Sequence, residues 1–162
     1  TVTVKTSDTF FDAYHEFDGW QLTSSMALVE PSENWENSKT FTFKMPAGNV
    51  TLKADYKQLY DLAVTGGTIV DESGDTGETT GIYLPGTEVT IRFTASTGIE
   101  DQFEKWTFSD TEPTDLPDGW EHKPSFSFTM PAGNVTLKAD YKQLYDLTVN
   151  LSHIGIGKKN NS

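Results

Sequence analysis

The chain has 162 residues, with 12 Lys plus Arg against 24 Asp plus Glu, for a formal charge of −12. That balance argues against recognising nucleic acid or anionic lipid through a basic surface, and the lack of cysteine excludes disulfides, thiolate-bound zinc and thiol catalysis. No apolar run reaches membrane-spanning length, no basic-then-apolar leader opens this piece, and the length suits one medium domain or two small ones.

In chain order, Asp12 to Asp18 is a candidate short helix, as is its later counterpart Ile99 to Lys105. No stretch carries an apolar period of 3.6 over three turns. Phe17 and Trp20 come next, and a Trp in a small module is expected to anchor its core. After an insertion over 21–34 comes Trp35, read first as core packing and alternatively as a sugar-stacking platform. Thr40 to Lys44 alternates with Phe41 and Phe43 on one face. Val50, Leu52, Ala54 and Tyr56 alternate with Thr51, Lys53, Asp55 and Lys57. Both patterns predict strands with one buried face. Between them, Pro46-Ala47-Gly48-Asn49 predicts a short hairpin, with Gly48 at positive φ and Asn49 tolerating left-handed backbone at the exit. Asn49, Asn134 and Asn150 each open a formal glycosylation sequon, and the first two of these read simply as the exit of this turn and its repeat.

Tyr60, Leu62 and Val64 make a further strand. Asp71 to Glu78 is acid-rich, with the hard oxygens Ca²⁺ prefers but not the EF-hand spacing, so it reads as a solvated hairpin loop. Leu84-Pro85-Gly86-Thr87 suits a type II turn. With Glu88 it departs from a sortase sorting signal at the last position, and neither an apolar segment nor a basic tail follows. Val89, Ile91, Phe93 and Ala95 form another half-buried strand, and Phe103-x-x-Trp106 repeats the earlier Phe17-x-x-Trp20. A second insertion, over 107–119, precedes Trp120, which carries the same two readings as Trp35.

The strongest signal is internal repetition. Met45 to Leu62 returns unchanged at Met130 to Leu147, 85 residues later. Upstream, Trp35 maps to Trp120, Phe41 and Phe43 to Phe126 and Phe128, and Val2-Thr3-Val4-Lys5 to Val89-Thr90-Ile91-Arg92 across small gaps. In one register, residues 1–57 are a first unit lacking its opening strand, 58–142 a complete unit, and 143–162 the opening strand of a further unit or a tail. In the other, each Tyr-Asp-Leu strand closes the unit before it, giving 1–64 and 65–149. The period alone does not choose between them.

Phe103-x-x-Trp106 followed by Phe126-x-Phe128-x-Met130-Pro131-Ala132-Gly133-Asn134-Val135-Thr136-Leu137 resembles the divergent InlB B-repeat family of bacterial surface repeats. Gly66-Gly67-Thr68 after Tyr60 to Val64, and Tyr83-x-x-Gly86-Thr87-x-Val89-Thr90-Ile91, fit the same family. The resemblance implies a mainly β fold of tandem small antiparallel β-sheet modules, β-grasp-like, with little helix. It also implies an extracellular place on the bacterial cell surface and no catalytic residues to carry over. The insertions over 21–34 and 107–119 and the loop over 71–80 depart from the family pattern.

Catalysis is not expected. His15, His122 and His153 occupy non-equivalent places without metal-ligand spacing, no carboxylate pair stands out, and modules this small offer little interior for a pocket. No metal or cofactor is expected. The favoured role is a non-catalytic spacer or stalk in adhesion, its partners the neighbouring repeat units. One alternative is a glycan- or host-protein-binding module using Trp35 and Trp120. Another is head-to-tail self-association, in which Leu144, Tyr145, Leu147 and Val149 form a strand donated to a second molecule.

Overall fold

Alternating sequence becomes strand almost throughout. The computed structural model describes residues 1–6, 13–71, 74–75, 77–94, 101–145 and 147–151. The first strands are β1 (Val2–Lys5), β2 (His15–Leu22), β3 (Thr40–Phe43) and β4 (Leu52–Gln58). They form two antiparallel pairs, β1 with β3 and β2 with β4. The next strands are β5 (Tyr60–Thr65), β6 (Gly67–Asp71), β7 (Gly74–Asp75) and β8 (Thr80–Tyr83). The last are β9 (Glu88–Phe93), β10 (Gln102–Phe108), β11 (Ser125–Thr129) and β12 (Val135–Lys142). These eight build two four-stranded sheets, ordered β10-β12-β5-β8 and β11-β9-β6-β7. The fold is mainly β. All pairings are antiparallel except that of β5 with β12, which is parallel.

The main core lies between the two four-stranded sheets. Leu62 and Leu137 from one meet Ile69, Ile91 and Phe128 from the other, around Trp106. The indole N–H of Trp106 donates to the Lys123 carbonyl at 2.9 Å, so the largest buried side chain leaves no polar atom unsatisfied. Trp20 repeats the bond to the Ser38 carbonyl at 2.9 Å, but is only half-buried.

The difference follows from the neighbours. By sequence, β1, β2, β3 and β4 correspond to β9, β10, β11 and β12. However, β9 also pairs with β6 and β12 with β5, whereas among the described residues β1 pairs only with β3 and β4 only with β2. Met130 is 1% exposed because the turn at Leu84–Thr87 closes over it, with the Gly86 N–H donating to its carbonyl at 2.9 Å. Met45, in the same local sequence, is 52% exposed.

Two expectations need correction. Pro46 to Asn49 does not close a hairpin: β3 and β4 belong to different pairs, so the segment carries the chain from one layer to the other. The copy at 131–134 does the same between β11 and β12. Neither Gly48 nor Asn49 has a positive φ. Gly48 instead lies against Met26: a Cβ there would stand 3.1 Å from Met26 Cγ, close enough that the Met side chain would have to give slightly. Turn chemistry marks where a strand ends but does not name its partner.

The candidate helices at Ile99 to Lys105 and Asp12 to Asp18 contain no helix where described: residues 102–105 and 15–18 are strand, the starts of β10 and β2, and Ala13 and Tyr14 form a turn. The register slips between Phe103 and Lys105, and again between Phe17 and Gly19. Such a bulge inserts one residue and returns the next side chains to the same face. Phe103 and Trp106, three apart, therefore both point inward, with ring centroids 5.6 Å apart. The spacing that imitates a helical period is a bulged strand.

By contrast, Leu84 to Thr87 is the turn its sequence predicts. Gly86 has φ 89°, and the Thr87 N–H donates to the Leu84 carbonyl at 3.2 Å.

Leu52 and Leu137 occupy identical local sequence but different depth, which makes a direct test. Leu137 is fully buried, so Leu137→Ala should cost ~2–5 kcal/mol. Leu52→Ala, at a half-buried site, should cost clearly less. Equilibrium urea unfolding of the two variants checks the ordering.

Candidate functional site

Each bulge turns a carboxylate outward beside a lysine on the next strand. Glu104 pairs with Lys142 at 2.7 Å, and Asp18 pairs with Lys57 at 2.6 Å. In both, hydrogen bonding to the carboxylate, reinforced by its charge, raises the lysine above its ordinary value. Both lysines are exposed, so these pairs fix geometry more than they stabilise. His122 Nδ1 lies 3.0 Å from the Glu104 carbonyl. Together with Gln102, Phe103 and Lys105 these residues line an open groove of about 410 Å³. A smaller depression of about 240 Å³ occupies the matching place beside Asp18, Glu36 and Asp55. Among the described residues, no group of three or more His, Asp or Glu is placed to hold a metal ion. The Asp71–Glu78 loop lies partly outside the described residues, as does His153.

Trp35 and Trp120 each begin a single 3-10 turn, Trp35–Asn37 and Trp120–His122. The turns are entered through residues with left-handed backbone, Asn34 at φ 55° and Gly119 at φ 68°. Gly adopts that region without strain and Asn tolerates it. Both indoles are half-buried. Trp35 packs 5.3 Å from Phe41, and Trp120 packs 4.8 Å from Phe108 and 5.5 Å from Phe126. The aromatic stack thus takes up much of each ring, leaving a reduced area for any ligand.

Leu144, Tyr145, Leu147 and Val149 belong to no strand and are exposed. The pattern that forms β5 at Leu59 to Val64 is present here without its partner.

Sequence reasoning missed three polar clamps. Asn134 Oδ1 accepts the Asp61 N–H at 3.1 Å and so fixes the start of β5 against β12. Neither Asn49 nor Asn134 takes the left-handed backbone that a hairpin exit predicts for both. Asp115 accepts the Thr129 N–H on both carboxylate oxygens, at 3.0 and 3.2 Å. Asp110 accepts the Thr136 hydroxyl at 2.5 Å. The repetition of Asn within the identical run was the available signal for the first. Asp115 had a weaker one, since Glu30 stands at its place in the first copy and pairs with Lys44 at 2.5 Å.

Two four-stranded sheets closed by a parallel first-to-last pairing, with the same bulge, indole bond and 3-10 turn recurring in the strands before them, form a repeated module. A family model described as the divergent InlB B-repeat domain matches residues 11–59 and again 60–144. The chain belongs to the divergent InlB B-repeat family. Repeats of this family are associated with bacterial surface proteins and are generally non-catalytic. Comparison with curated proteins and with solved structures gives no match. Among the described residues, no helix of this InlB B-repeat chain is long and apolar enough to cross a membrane.

The Asp115 clamp makes a pH prediction. Hydrogen bonds from Thr129, first its side chain and then its backbone, hold the carboxyl below its ordinary value of 3.8. A depressed carboxyl contributes stability that is complete above the unfolded value and lost as pH falls through the lower folded value. Asp115→Asn should therefore be less stable than the parent at neutral pH, with the gap closing as pH drops below 3.8. Urea midpoints for both proteins across the acid range check this.

Proposed function

We propose that this chain is a spacer segment of an exported bacterial surface protein, in which consecutive repeats hold a distal binding part away from the cell. The joint between the repeats supports this reading most directly. β4 ends at Gln58 and β5 begins at Tyr60, so Leu59 alone separates them. The Leu59 N–H donates to the Tyr14 carbonyl at 2.7 Å, which ties the joint to the strands before it. Two residues later, Asn134 holds the Asp61 N–H from the other side. A joint clamped on both flanks restricts swivelling, unlike a Gly/Ser linker, whose reach grows only as the square root of its length.

Two further features fit the role. Among the described residues, no strand before Leu59 pairs with a strand after it, so copies can follow one another without shared strand pairing. The formal charge of −12 disfavours non-specific association along the flanks. Reach and solubility are what a spacer needs, and neither requires a pocket.

Small-angle scattering tests the proposal. A single compact globule of this length would have a radius of gyration of about 15 Å. The spacer reading expects a clearly larger value and an elongated distance distribution for the monomer. A value near that of the globule would overturn it.

A further inference from the structure

Among the described residues, one sheet edge and one segment each lack a strand partner, and each carries the sequence of a pair found elsewhere in the fold. The edge is that of β4. Val50 to Lys57 is identical to Val135 to Lys142, which forms β12. β12 carries β10 on one side and β5 on the other, while among the described residues β4 carries only β2. The segment is Leu144 to Val149, which repeats Leu59 to Val64 with Thr148 in place of Ala63. Ala63 is half-buried and lies between the inward residues Leu62 and Val64, on the opposite face of β5, where a hydroxyl is tolerated.

Exposure shows what the segment lacks. Leu62 and Val64 are 0% and 5% exposed in β5, while their counterparts Leu147 and Val149 are 87% and 67% exposed. Tyr145 is 79% exposed. The seam between β5 and β12 sets Val135 opposite Leu62, Thr136 opposite Ala63, and Leu137 opposite Val64.

We propose that the Leu144–Asn150 segment of one molecule adds as a parallel strand to the β4 edge of a second copy of this chain. Transposing the observed seam gives the register. Val50 faces Leu147, Thr51 faces Thr148 and Leu52 faces Val149. Asn49 Oδ1 stands at the acceptor edge in the sequence position from which Asn134 Oδ1 clamps the start of β5, and is available to the donated strand in the same way. Strand addition of this kind takes affinity from main-chain hydrogen bonds and specificity from alternate side chains. Donor and acceptor are different surfaces, so a bound pair still presents one free donor and one free acceptor, and assembly extends head to tail. This inference is independent of the spacer reading, which scattering on the monomer judges separately.

The test uses the full chain. Sedimentation velocity across a wide concentration range should show the parent's mass rising in steps of the monomer. Leu147→Asp alters a side chain that is almost wholly in water, so the monomer stays folded. It should raise the concentration of half-assembly by ~10–100-fold. Asn49→Ala, at another exposed position on the acceptor side, should raise it by about 2–10-fold. Adding unlabelled parent to isotope-labelled Leu147→Asp protein should shift the amide resonances of Val50 to Lys53 and of no other edge strand. A parent chain that stays monomeric at every concentration would overturn the proposal. So would assembly unchanged by both substitutions.

Discussion

The parallel seam between β5 and β12 decides how much of each copy is buried. Four facing residues, Val135 to Lys138 against Leu62 to Thr65, join the first strand of the eight-stranded group to its last. Once β5 is in place, β8 can pair with it, β6 can cross to the opposite sheet, and the turn at Leu84 can close over Met130. Where the seam is present, Leu137, Val135 and Ala139 are buried. Where the same sequence lacks it, Leu52, Val50 and Ala54 are only half-covered. Removing apolar surface from water is the main favourable term in folding. The two copies thus differ in stability through their neighbours rather than their local sequence.

What the copies share is a small set of polar solutions to a mainly aromatic core. Trp20 and Trp106 both satisfy the indole N–H on the residue just after the 3-10 turn. Both bulges send a carboxylate to the lysine across the strand. Both glycines in the inter-layer crossing stand where a side chain would meet the preceding loop. These features occur with and without β5, so they belong to the strand pairs themselves. The insertions follow the same rule: they end in a turn that packs a Trp against the module's own phenylalanines.

The period-2 strands around Phe41, Leu52, Leu62 and Ile91 were readable from sequence because burial on one face leaves an alternating trace. The Leu84–Thr87 turn was readable because Pro-Gly restricts the backbone to few choices. Pairing was not. A Pro-Ala-Gly-Asn segment looks alike whether the chain folds back on its neighbour or crosses to another layer, and the deciding partners, β1 and β2, lie far upstream. The Phe-x-x-Trp spacing misled for a different reason, since a bulge changes the face without changing the composition. Of the candidate site, the exposed apolar run at Leu144 was visible as a repeat of β5. The Asn134 clamp was not, because a side chain that bonds a distant N–H leaves no periodic mark.

The direction of the seam also bears on mechanical load. In the eight-stranded group the chain enters along β5 and leaves along β12, and these strands lie side by side pointing the same way. A pull on the entering end and an opposite pull on the leaving end slide the two strands past one another along their length. The rungs between them are then strained together instead of one at a time, as they would be if the chain were peeled from an edge. A link built this way resists stretching through its hydrogen-bond ladder as well as through its core, which suits a tether carrying force between its two ends.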